Sequence, residues 1–191
     1  DILIRISPQE NIEKTGLEFI NSIKGGNIPR EFIPSVEKGF RESMKNGVLA
    51  GFPLESMKVE LLDGSYHAVD SDSLSFEMAA RMAYRSAIKG CQPALLEPIM
   101  KLEVVTPEEN MGDVVGDLNR RRGMMRGMDD RNNAKVLKAD VPLSEMFGYV
   151  TQLRTITSGR ANSSMEFSHY SEAPKNVSDE VISKINGKVT A

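Results

Sequence analysis

A chain of 191 residues is one large domain or two of ordinary size, and 40% hydrophobic with 27% charged residues is the balance of a globular protein rather than of a disordered tail. Lys and Arg total 24 against 27 Asp and Glu, a formal charge of −3, so bulk attraction to phosphate is not its main partner interaction. The single cysteine, Cys91, excludes an intrachain disulfide framework and fits a reducing compartment, and Cys91, His67 and His169 are too few and too dispersed for a zinc cluster.

The elements follow in chain order. Asp1–Ser7 is apolar apart from Arg5 and reads as a strand that begins without a cap or leader. Gly16–Ile23 is a second strand, and Lys24–Arg30 breaks regularity with two glycines and a proline. Phe32, Val36, Phe40 and Met44 recur every fourth residue as one helical stripe, with Pro34 in the first turn and Gly47 where a C-terminal glycine cap is expected. Glu55–Leu62 is a strand with Met57, Val59 and Leu61 on one face; Asp63-Gly64 signals a turn, and Ser65–Val69 is expected to continue extended. Asp70-Ser71-Asp72 supplies helix N-caps before Phe76, Ala79, Ala80, Ala83, Ala87 and Ile88, the buried face of a long helix that Gly90 ends.

From Pro98 the pattern repeats itself. Ile99–Val105 is a strand, Thr106-Pro107-Glu108-Glu109 a capping box, and Met111, Val114, Val115 and Leu118 the stripe of a helix. Gly123–Gly127 and Ala134–Val141 are strands around an Asp129–Asn133 turn. A helix with Leu143, Met146, Phe147, Val150 and Leu153 inward then ends near Gly159, and Ser163–Tyr170 is the last strand. Strand-helix-strand twice over is a split βαβ pair, the ferredoxin-like arrangement. Val177, Val181, Ile182 and Ile185 mark a closing amphipathic helix, expected to pack on the first domain.

Few motifs carry chemistry. Neither GxxxxGK[ST] nor GxGxxG occurs, so no phosphate-cradling loop is expected. Asp70-Ser71-Asp72 lacks the glycine and distal glutamate of a calcium loop and reads as a cap, and Cys91 reads as a small core residue without a neighbouring base. No metal site is expected. No run of roughly 18 apolar residues occurs and Asp1–Arg5 is not a signal peptide, so the expected location is the cytoplasm, away from a membrane. Arg120-Arg121-Arg122, with Arg126 behind, is the one dense basic run: either a phosphate contact or a solvated helix end. Gly25–Arg30 and Gly64–Asp72 each join a strand to a helix and are able to meet at one tip, where Tyr66 and His67 offer the stacking and hydrogen bonds that RNA bases accept.

Several strings at and beyond these loops resemble elongation factor G: Gly25-Gly26-Asn27-Ile28-Pro29, Gly51-Phe52-Pro53, Asp63–Ser71, Leu96–Met100, Thr106-Pro107-Glu108, Gly112–Gly123, Val141–Tyr149 and Tyr170–Pro174. The match runs in order from about residue 1 to residue 186. The resemblance implies an α+β chain of two domains. Residues 1–97 would be the family's fourth domain, an elongated α/β module like the second domain of ribosomal protein S5 with its own first strand upstream of residue 1. Residues 98–174 would be the ferredoxin-like fifth domain, followed by the closing helix over 175–191.

It also implies a function, translocation of tRNA and mRNA through the ribosome. The fourth domain's tip would enter the A site of the decoding region and touch the tRNA–mRNA duplex through Gly25, Gly26, Asn27, Ile28, Pro29 and Arg30 and through Tyr66, His67, Asp70 and Ser71. His67 falls where eukaryotic relatives carry diphthamide. The fifth domain would face the stalk base and large-subunit RNA, with Arg120, Arg121 and Arg122 as contacts. The chain itself would be monomeric and no enzyme, holding no cofactor, and GTP with magnesium would belong to the GTPase domain of the parent protein. Alternatives are a tetracycline-resistance ribosomal-protection protein, against which Ser65-Tyr66-His67 argues, and a recycling-type paralogue. Outside the family stands a small ferredoxin-like RNA-binding module. That reading expects aromatic residues on the central strands and basic charge, whereas Ile99–Val105 has no aromatic and residues 98–174 are not basic overall.

Overall fold

A computed structural model describes residues 1–11 and 13–188. The chain is α+β with two sheets and divides into two compact units: residues 1–94 with the chain from Asn176 onward, and residues 95–175.

In the first unit β1 (Ile2–Ser7), β2 (Gly16–Asn21) and β3 (Ser56–Gly64) form a sheet in the order β1-β3-β2. β2 runs parallel to β3 and β1 antiparallel to it, so the ends of β2 and β3 and the start of β1 lie at one end of the sheet. Helix α1 (Ile33–Ser43) connects β2 to β3 and packs with α2 (Ser73–Ile88). The four-residue stripe buries Val36, Phe40 and Met44 against Met57, Val59 and Leu61 of β3 and Phe76, Ala80, Tyr84 and Ile88 of α2, an apolar core that excludes water. Tyr84 takes the place on this face that three alanines were expected to hold, since Ala79, Ala83 and Ala87 are only half-buried.

Local signals in this unit resolve differently from expectation in four places. Gly47 is no left-handed cap: α1 ends at Ser43 with Met44 as its cap, and the Gly47 N–H donates to the Phe52 carbonyl at 2.8 Å. Asp63-Gly64 lies inside β3, and Ser65–Val69 leaves the strand instead of extending it. Gly90 sits in a short 3₁₀ turn, Lys89–Cys91, and Gln92 takes the left-handed conformation. Cys91 is exposed, its thiol 3.4 Å from the Ala87 carbonyl, not a core residue.

The second unit holds β4 (Leu96–Pro107), α3 (Met111–Arg120), β5 (Met124–Arg131), β6 (Ala134–Pro142), α4 (Tyr149–Thr157) and β7 (Asn162–Glu172). Its sheet is antiparallel throughout in the order β5-β6-β4-β7, the ferredoxin-like split βαβ topology. Leu102 and Val104 of β4, Val114 and Leu118 of α3, Leu137, Ala139 and Val141 of β6 and Leu153 of α4 form its core. The capping box is not realised, because β4 runs through Pro107 and buries Thr106 completely. The β5–β6 turn is two residues, Asn132-Asn133, both left-handed, as a tight hairpin requires and asparagine tolerates. The expected helix over Leu143–Gly159 is split: a 3₁₀ turn, Leu143–Glu145, then α4 from Tyr149 after the left-handed Gly148. That restart resets the phase, burying Tyr149 and Leu153 and leaving Phe147 82% and Val150 53% exposed, while Leu143, also expected inward, is 36% exposed in the 3₁₀ turn. Helix α5 (Lys175–Lys188) closes the described chain, and its expected continuation over residues 189–191 lies outside the described residues.

Candidate functional site

The parallel pairing of β2 with β3 decides where the two irregular loops go: both leave the sheet at the same end. Gly25 and Gly26 take φ of 84° and 74°, so the chain folds back there and brings Asn27 and Ile28 over the end of β3. Ile28 is 2% exposed and belongs to the core. It lies so close to Gly64 that a Cβ there would stand 2.4 Å from Ile28 Cδ1. Asn27 Nδ2 donates to Asp63 Oδ1 at 2.8 Å. This bond, followed by that from the Gly64 N–H, holds the Asp63 carboxyl below the usual carboxylate range. The loops are therefore fastened by one apolar and one polar contact, and Ile28 contributes as an anchor, not as a surface group.

Tyr66 is fixed from behind. Its ring stacks on Phe32 with centroids 5.7 Å apart, and Phe32 in turn stacks on the buried Phe76 at 5.1 Å. Tyr66 remains 38% exposed, so one edge of a held aromatic faces outward. The next residues turn sharply. The Ser71 N–H donates to the His67 carbonyl and the His67 N–H to Ser71 Oγ, both at 3.0 Å. Asp72 caps α2, accepting from the Ser75 N–H at 2.7 Å, and bonding by Ser75 holds its carboxyl below the usual range. His67 and Asp70 border a hollow of about 250 Å³ lined also by Asp1, Ser65, Ser71 and Ser75. Of the ten tip residues read from the sequence, the structure thus gathers both groups at one end. Phe32 and Asp63, the supports, were not read as part of the site. Phe32 was legible only as a core residue, and Asp63 only as a turn former.

Comparison with known proteins bears on what such a tip does. The family model "Elongation factor G, domain IV" matches residues 1–92, and "Elongation factor G C-terminus" matches residues 94–181. The chain belongs to the elongation factor G family. It is 61% identical over 187 residues to elongation factor G of Cytophaga hutchinsonii and 57% identical over 187 residues to that of Amoebophilus asiaticus. In each case 98% of this chain is covered but only 26% of the relative's length. A crystal structure from Thermus thermophilus superposes with a TM-score of 0.87 and 37% identity, covering 97% of this chain and 27% of that one.

The basic run expected to face ribosomal RNA in this family lies in the second unit, and two of its three members have partners within that unit. Arg121 donates to Asp117 Oδ2 at 2.9 Å and to the carbonyls of Glu145 and Phe147, and its guanidinium lies 5.2 Å from the centre of the Tyr149 ring. Burial pushes the Tyr149 hydroxyl up to about 12. Arg122, left-handed at φ 59°, grips both carboxylate oxygens of Glu97 and lies 3.8 Å from Glu145; hydrogen bonding to Glu97 raises its pKa further. Arg121 ties the end of α3 to the loop before α4, and Arg122 ties the residue after it to the start of β4 and to the same loop. Of the three, Arg120 alone is exposed, and its side chain has no ion pair or hydrogen bond among the described residues. The charges Lys101, Glu166, Lys138 and Asp129 on this unit's sheet form the pairs Lys101–Glu166 and Lys138–Asp129, and its exposed aromatics, Phe167 and Tyr170, lie on the edge strand β7 with ring centres 5.2 Å apart. Among the described residues no cluster of three metal-ligating side chains occurs, and no helix is long and apolar enough to cross a membrane.

Proposed function

We propose that this chain is the part of an elongation factor G that promotes translocation of tRNA and mRNA, its tip entering the A site of the decoding region and touching the tRNA–mRNA duplex. The observation that carries the reading is the fastening of two strand-end loops, Ile28 against Gly64 and Asn27 to Asp63, beneath an outward-facing turn. A tip held in this way occupies space and blocks return of the duplex. Hydrogen bonds from His67, Asp70, Ser71 and the backbone around Gly25-Gly26 favour the moved state over the unmoved one. The fifth-domain contact with large-subunit RNA near the stalk base falls to Arg120. Residues 1–97 serve as the fourth domain, 98–174 as the fifth, and the helix from residue 175 packs on the fourth; the grouping of that helix with the first unit supports this. GTP hydrolysis with magnesium belongs to the rest of the parent protein, which works as a monomer in the cytoplasm.

The test is His67→Ala in the full-length factor, with single-round translocation and GTP cleavage measured on the same ribosomes. His67 is exposed, so stability should change by less than about 0.5 kcal/mol. Translocation should slow while hydrolysis persists, and a tenfold slowing corresponds to about 1.4 kcal/mol of lost bias. Translocation at the parent rate, or hydrolysis falling in step with it, would refute the assignment.

A further inference from the structure

Helix α2 buries Phe76, Ala80, Tyr84 and Ile88 on one side, so its other side should be polar. Instead Leu74, Met78 and Met82 stand there at four-residue spacing, 64%, 51% and 67% exposed. At a rise of about 1.5 Å per residue they make an apolar stripe roughly 12 Å long. Helix α5 belongs to the same unit and leaves the stripe uncovered.

The charge around the stripe is one-sided. Residues 73–89 hold Arg81, Arg85 and Lys89 but a single carboxylate, Glu77, which is already bound by Lys38 at 3.0 Å and Arg81 at 2.7 Å. The side chains of Arg85 and Lys89 have no ion pair or hydrogen bond among the described residues, and they continue the line of Met82 at helical spacing. The face is thus apolar beside the tip and cationic away from it. RNA suits only the cationic end, because Leu and Met offer no ring to stack on and no donor to a base. A protein segment with apolar anchors followed by carboxylates complements the whole of it. Unbranched methionines adapt to such anchors.

We infer that this face of α2 docks an acidic-ended apolar segment of a ribosomal protein beside the A site. The inference rests on the proposed insertion of the tip, since Leu74 follows closely on the Asp72 cap that ends the tip turn.

The test places the photoreactive residue benzoylphenylalanine at Met78, and separately at Val69 in the tip turn, in the full-length factor bound to purified ribosomes; Val69 is 100% exposed. The Met78 probe should join covalently to a ribosomal-protein peptide bearing apolar side chains next to Asp or Glu. Arg85→Glu with Lys89→Glu should lower that yield at least fivefold without changing the Val69 product. Capture of RNA or of another part of the factor at Met78 would overturn the inference. So would a protein product indifferent to charge reversal, or no Met78 product while Val69 captures ribosomal RNA. If neither probe captures a ribosomal component, the tip assignment falls as well.

Discussion

Gly64 is the point at which the two loops of the tip meet, and adding one methyl group there tests whether the junction is as tight as it looks. In Gly64→Ala the new Cβ would lie 2.4 Å from Ile28 Cδ1, 2.9 Å from Ile28 Cγ1 and 2.8 Å from the Asp1 carbonyl oxygen. Ile28, 2% exposed, has nowhere to swing without leaving the core, and the Asp1 carbonyl is held by the Ser65 N–H at 3.0 Å. Overpacking of a filled core costs about 1–3 kcal/mol, and contact with both a buried side chain and backbone places this case at about 2 kcal/mol. Ile28→Val removes Cδ1, the nearest atom, and alone costs about 1 kcal/mol. Combined, the two changes should cost at least about 0.5 kcal/mol less than their sum, with the Asp1 contact preventing full relief. Urea unfolding of the chain and its three variants, at unchanged m-value, measures this cycle. Additive costs, or a Gly64→Ala variant within about 0.5 kcal/mol of the parent, would show that Ile28 and Gly64 do not form the junction described.

Arg122→Gln strands the buried Glu97 carboxylate. Breaking such a pair costs roughly 3–5 kcal/mol when fully buried, and side-chain exposures of 30% and 11% reduce this to about 2 kcal/mol, read by urea unfolding of the second unit. In the full-length factor the same change should leave the salt dependence of ribosome binding unaltered, whereas Arg120→Gln should leave stability alone and lower the log–log slope by about one. A flattened slope for Arg122→Gln at parent stability would return that residue to the RNA contacts. Asp72→Ala should destabilise the first unit at neutral pH. Because hydrogen bonding from Ser75 depresses the carboxyl's folded pKa, its contribution is present above the unfolded value of about 3.9 and is lost as pH falls through the lower folded value. The gap in urea midpoint between parent and variant should therefore narrow toward pH 3, and an equal gap at pH 3 and pH 7 would contradict the cap.

The sequence was most legible where one periodicity acts alone. Val36, Phe40 and Met44, or Met57, Val59 and Leu61, have a single apolar face, and burial follows from it. It was least legible where one residue type serves two ends. Glycine marks both caps and close approaches, so Gly47 and Gly64 read as chain reversals although their neighbours leave no room for a side chain. Gly148 shifts the phase of α4, so of the five residues expected inward Leu143, Phe147 and Val150 are exposed, while Met146 and Leu153 are buried. The two tip loops, with Tyr66 and His67, are legible as breaks between strand and helix, and the resemblance adds the individual contacts. Their joining depends on β2 and β3 being parallel neighbours, which no local pattern in either strand reveals.

The arginines show how a charge count misleads until geometry is known. In the second unit Arg121, Arg122, Arg126 and Arg160 are all bound to carboxylates of the same unit, as are Lys101, Lys135 and Lys138. A guanidinium already forked onto Glu97 must share or give up that carboxylate to grip a phosphate, so the internal pair competes with RNA for it. The first unit follows the same pattern at its tip: Asn27, Ser71 and the Phe32 ring direct their contacts inside, which leaves the turn at His67 held but not filled. A surface built in this way discriminates by shape and by a few fixed donors and acceptors rather than by net charge. That suits a chain of net charge −3 whose proposed partner is one of the most highly charged assemblies in the cell.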